Sequence, residues 1–106
     1  MMRGMGNMQG MMKQVQKMQK EMVAAQEALE KKEFEGRAAN DLVVATFTGN
    51  RQLINLDINE EIIDPEDPDM LQDMILVAVN DGLSQIATET EKTMGKYTQG
   101  MGIPGL

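Results

Sequence analysis

Lys13, Lys17 and Lys20 recur at i, i+4 and i+7, a spacing that sets three ammonium groups within about 60° of one another on a helix. Gln14 and Gln16 flank them, Arg3 precedes them, and no acid occurs in the first twenty residues. That segment carries +4, whereas the other six bases and all seventeen acids leave −11 on residues 21–106. Lysines make point-charge contacts to phosphate, and glutamine amides can bond base edges or backbone. Three lysines on a helix are often only a solvated face; an acid-free segment in an otherwise acidic chain points instead to phosphate binding. Two copies, each with Arg3, would offer up to about eight phosphate contacts. Duplex backbone is the expected ligand, because stacking on unpaired bases needs exposed aromatics and only Tyr97 is left once Phe34 and Phe47 join a core face. Arg37 and Arg51 could extend the basic path or serve solubility alone.

Other chemistries find less support. With no Cys and no His, the chain lacks thiol nucleophiles, disulfides, imidazole bases and the commonest zinc ligands. No nucleophile–base pair or phosphate loop is present, so no catalytic residue, metal site or cofactor is expected. Twelve Met, seven of them in the first eighteen residues, raise the question of copper(I). Packing or contact surface is the better account of these thioethers, because no Cys or His strengthens the set. The eight carboxylates from Asp57 to Asp73 lack EF-hand spacing and its central glycine, and read as a solvated acidic patch stiffened by Pro65 and Pro68.

The elements that must carry the lysines follow from periodicity. Met8, Met11, Val15, Met18, Met22, Ala25 and Leu29 alternate spacings of three and four, a heptad seam on a helix predicted from about Asn7 to Lys32. Residues 1–6 are expected to form a flexible arm ahead of it. The period then drops to two, predicting strands over 34–39, 42–48 and 51–58, joined by two-residue hairpin turns at Asn40-Asp41 and Gly49-Asn50. Pairing Ala39 with Leu42 and Thr48 with Arg51 gathers Phe34, Gly36, Ala38, Val43, Ala45, Phe47, Ile54 and Leu56 on one face, while Leu42, Val44 and Leu53 cluster on the other. Asp67 is a candidate N-cap for a second helix from about Pro68 to Lys96. Its apolar stripe is wide enough to cover a sheet. Gly82 within it costs roughly 0.5–1 kcal/mol relative to Ala, which close packing against the sheet or a partner would explain. Residues 98–106 are expected to be a flexible tail.

The fold class is therefore α+β, a single domain over residues 1–106: helix, three-stranded antiparallel meander in the order 1-2-3, helix. A 26-residue helix is about 39 Å long and a six-residue strand about 20 Å, so the first helix must overhang its sheet. The overhanging seam, Met8, Met11, Val15 and Met18, needs a partner, and a homodimer with protruding helical arms supplies one. Leu42, Val44 and Leu53 are candidates for the same interface. The longest apolar run, Met74 to Val79, is far short of the roughly 20 residues that cross a bilayer. No membrane partner is expected, and the location expected by default is cytoplasmic.

The texts MRGMGNMQGMMKQVQKMQKEM, FEGRAANDLVVATFTGN, INLDIN, DMLQDMILVAVNDGLSQI and GMGIPG, in this order over about 100 residues, resemble the YbaB/EbfC family of bacterial nucleoid-associated DNA-binding proteins. The resemblance implies the same helix–sheet–helix architecture, a tight dimer shaped like tweezers, a place at the nucleoid, and binding to double-stranded DNA with limited sequence preference. It also implies a gene lying near DNA-polymerase and recombination genes, with replication or recombination proteins as further candidate partners. The alternative expectation is an adaptor in those processes, holding another protein through the acidic patch and the Met-lined helix.

Overall fold

The computed structural model describes the backbone of residues 2–101 and the side chains of residues 9–97. Helix α1 spans Met2–Lys31, strands β1, β2 and β3 span Glu33–Arg37, Val43–Thr48 and Leu53–Ile58, and helix α2 spans Pro68–Met101. The strands form one antiparallel sheet in the order β1-β2-β3, so the α+β meander between two helices is as the periodicity predicts. Both helices run longer than expected, α1 by five residues at its start and α2 by five at its end. Neither extension contains proline, and glycines alone weaken a helix without stopping it. The rest of the expected tail, 102–106, lies outside the described residues.

The first hairpin has the expected register, with Phe34 opposite Phe47 and Gly36 opposite Ala45. Its turn explains why: Asn40 and Asp41 both have φ of 56°, and the Leu42 N–H donates to the Ala39 carbonyl at 3.2 Å. Positive φ at both central residues is the type I′ turn, which Asn and Asp tolerate better than most residues.

The second hairpin departs from expectation. The Thr48 N–H donates to the Gln52 carbonyl at 2.9 Å, so the loop holds three residues, and Arg51 takes a φ of 66°. Strand β3 carries a further residue, Ile54, opposite the step from Thr46 to Phe47, so that Asn55 and then Leu53 face them. The two slips together move the pairing by two residues, setting Val43 opposite Ile58 and Ala45 opposite Leu56. Leu53 consequently stands opposite Phe47 instead of clustering with Leu42 and Val44, and Leu42 packs against the core of its own chain.

Helix α2 lies across β1 and β2. The core joins Phe34, Val43, Ala45 and Phe47 from the sheet to Ala78 and Ile86 from α2, with Leu29 from α1 and Ile62 from the linker. Gly36 and Gly82 set the spacing of the two layers. A Cβ on Gly36 would overlap the Ala78 carbonyl and lie 2.7 Å from Gly82 Cα, and one on Gly82 would lie 2.6 Å from the Phe47 ring. The mid-helix glycine is thus accounted for by backbone-to-backbone approach against the sheet.

Polar side chains of α2 also finish the outer edge of β1. The Arg37 N–H donates to Asp81 Oδ2 at 3.0 Å, and Gln85 Nε2 donates to the Glu35 carbonyl at 2.8 Å and to Asp81 Oδ2 at 3.1 Å. Edge groups that would otherwise template another strand are satisfied within the chain. The acidic linker contains two tight turns, Glu60–Ile62, capped by Asn59 and anchored by buried Ile62, and Asp64 to Asp67, where the Asp67 N–H donates to the Asp64 carbonyl at 3.0 Å. Asp67 caps α2 as expected, accepting from the Met70 N–H at 3.3 Å.

Candidate nucleic-acid interface

Helix α1 leaves the sheet at Lys31, and its root is held in three ways. Leu29 is buried in the core, and its carbonyl abuts Gly49, where a Cβ would collide with it. Lys32 pairs with Glu89 of α2 at 3.1 Å and sits 5.5 Å from the Phe34 ring centroid. Along the seam, Leu29 is buried and Ala25 and Met22 are half-buried, consistent with packing of α1 against α2. Beyond them cover is lost: Met18 is 41% exposed, Val15 54% and Met11 65%. The molecule measures 80 × 24 × 17 Å. A 34-residue helix is only about 51 Å long, so α1 projects well past one end of the rest.

Lys13, Lys17 and Lys20 are exposed on this projecting part, on the face opposite Met11, Val15 and Met18. Among the described residues none of the three pairs with a carboxylate; the ion pairs belong to Lys32 and Arg37. Gln14 and Gln16 are exposed to either side of the lysine stripe. The side chains of Arg3 and Met8 lie outside the described residues. One further member of the stripe was not foreseen: Glu27 is exposed on the same face, two turns beyond Lys20, and closes the cationic surface toward the sheet. The i, i+4, i+7, i+11, i+14 series from Lys13 contains it.

Arg37 does not extend the basic path. Its guanidinium is held by Asp41 at 3.1 Å and Glu35 at 3.0 Å. The hydrogen bond and charge of Asp41, with the charge of Glu35, raise its pKa above the ordinary arginine value. Its charge is committed locally to its own turn. Arg51 is exposed at the hairpin tip. Apart from the paired Lys32 and Arg37, exposed positive charge lies on α1, at Arg51 and at Lys92 and Lys96 near the end of α2, whereas the carboxylates from Asp57 to Asp73 lie on β3, the linker and the start of α2.

The helix–meander–helix chain has counterparts among known proteins. Residues 5–101 match the YbaB/EbfC DNA-binding family. The chain belongs to that family. It is 68% identical over 101 residues to a nucleoid-associated protein of Enterococcus faecalis, covering 95% of this chain and 97% of that one. It is 59% identical over 105 residues to a nucleoid-associated protein of Listeria monocytogenes, covering 99% and 100% of the two chains. The crystal structure of an uncharacterized Helicobacter pylori protein has the same fold at a TM-score of 0.69 and 19% identity, over 83% of this chain and 92% of that one. No helix among the described residues is long and apolar enough to cross a membrane.

Proposed function

We propose that this YbaB/EbfC protein acts as a homodimer whose arms grip duplex DNA through its phosphates, with Lys13, Lys17 and Lys20 as the principal contacts. Arg3 adds charge near the tip, and Gln14 and Gln16 bond backbone or base edges without imposing a strict sequence preference. The observation that carries this reading is the set of three exposed lysines, none paired with a carboxylate, on one face of a projecting helix. The −7 net charge does not prevent it: fourteen of the seventeen acids follow Lys31, the end of α1, which is about 16 Å along the helix from Lys20, and the Debye length at 0.15 M salt is about 8 Å. A second copy is supported by the apolar seam that the single chain leaves bare at Met11, Val15 and Met18. Exposed Leu53 adds apolar surface on the body.

Three lysines from each of two arms make about six phosphate contacts, for which log K should fall with log salt at a slope of roughly −5. The test is fluorescence anisotropy with a labelled random-sequence duplex from 25 to 250 mM salt, alongside the Lys13→Glu/Lys17→Glu variant. Steep salt dependence in the parent and loss of binding in the folded variant support the reading. Absence of binding at 25 mM salt refutes it and turns attention to a protein ligand on the acidic surface.

A further inference from the structure

Strand β3 is open on two sides. Helix α2 lies across β1 and β2, and along β3 Leu53 is 44% exposed, Ile54 48% and Leu56 37%. The outer edge of the strand is bare as well. On β1, Glu35 and Arg37 turn their backbone groups outward to Gln85 and Asp81, so their partners Thr46 and Val44 bond toward β3, to Asn55 and Asp57. Leu56, between these two, points its N–H and carbonyl off the sheet, where no group among the described residues meets them. The two ends of the strand also differ in charge. Arg51, just before it, is exposed and has no ion-pair partner among the described residues. Just past its other end, Glu60 and Glu61 border a groove of about 430 Å³ whose lining contains no base.

We propose that β3 pairs antiparallel with β3 of a second copy, about a two-fold axis at Leu56, joining the two meanders into one continuous sheet. An edge strand with unmet backbone groups is completed by another extended strand, and the side chains select a second β3. The register that opposes Leu56 to itself sets Ile54 beside Ile58, so apolar side chains left bare by α2 cover one another. It sets Asp57 opposite Asn55, so no two acids face each other. It also brings Arg51 of each copy level with the partner's Glu60 and Glu61, and the two-fold axis repeats that contact. This contact is separate from the seam at Met11, Val15 and Met18, which lies on the arm. Helix α1 joins the sheet beside Gly49, at the Leu53 end of β3, so antiparallel pairing sends the two arms in opposite directions. The pair then presents lysine faces at both ends and holds two stretches of duplex; that consequence rests on the DNA reading above, whereas the strand pairing does not.

The absence of cysteine allows a direct test. Two copies of Leu56 on the axis have Cα atoms about 5.5 Å apart, within reach of a disulfide, whereas two copies of Leu53 stand roughly 20 Å apart along the paired strands. Under mild oxidant Leu56→Cys is expected to cross-link to itself and Leu53→Cys is not. Arg51→Glu added to Leu56→Cys should lower the yield at least about threefold, and Glu60→Arg/Glu61→Arg in the same chain should restore it. No Leu56→Cys disulfide in the folded protein, an equal yield from Leu53→Cys, or a yield indifferent to charge reversal each overturns the pairing. Bridging is read as capture of a fluorescent duplex on a bead-bound duplex, which Arg51→Glu should lower and the charge exchange restore; capture indifferent to both overturns the two-ended arrangement. Anisotropy on the same protein separates loss of DNA binding from loss of strand pairing.

Discussion

Gly36→Ala tests the spacing on which the rest of the molecule depends. The added methyl would meet the Ala78 carbonyl and lie 2.7 Å from Gly82 Cα, both backbone atoms of α2, so no side-chain rotation can relieve it. The helix must lift from β1 by appreciably more than about 1 Å to restore ordinary van der Waals separation, which loosens Ala78, Phe47 and Ile86 together. Overpacking costs 1–3 kcal/mol when side chains can adjust; a clash with backbone should reach about 3 kcal/mol. A chain of 106 residues has a total stability of only about 5–15 kcal/mol. Gly82→Ala is the internal control. It regains about 0.8 kcal/mol of helix propensity and meets only the Phe47 ring, so its net loss should be near 1 kcal/mol. Urea unfolding followed by circular dichroism at fixed protein concentration measures both, and the Gly36→Ala Tm should fall by at least about 10 °C. If Gly36→Ala were as stable as the parent, or Gly82→Ala the more damaging of the two, the account of layer spacing would be wrong.

Three further outcomes are expected. Arg51→Gly relieves a side chain held at a φ of 66° and should raise stability by about 0.5–1 kcal/mol, read as a higher urea midpoint with unchanged m-value. Asp67→Ala removes the cap on the Met70 N–H and should lower stability by about 1 kcal/mol, whereas Asp67→Asn should retain most of it. Arg37→Ala should change affinity for duplex DNA less than about twofold, because its charge is already engaged by Asp41 and Glu35; a loss comparable to that of Lys17→Ala in the same anisotropy assay would contradict the commitment of that charge to its own turn.

The lysine face was legible because a helix is a local object. The spacing of Lys13, Lys17 and Lys20 fixes their common face once the Met seam establishes the period, and all three are exposed. The first hairpin was legible for the same reason, since Asn40-Asp41 suits a type I′ turn and that turn sets the register behind it. The second was not. Gly49-Asn50 permits a two-residue loop, but the chain uses three and adds a bulge at Ile54, choices that depend on how β3 lies beside its neighbour.

Composition and period alone thus determined two helices around a meander, a cationic face with bare methionines behind it, and an acidic remainder, since each depends on residues within a few positions of one another. Tertiary structure alone decided that Gly82 admits Gly36, that Arg37 is consumed by its own turn while Lys13, Lys17 and Lys20 are not, and that Asp81 and Gln85 finish the β1 edge. It also decided where the seam loses cover, between Met22 and Met18. These are distances between segments remote in sequence or offset by a turn's geometry, and such distances follow from how the layers pack.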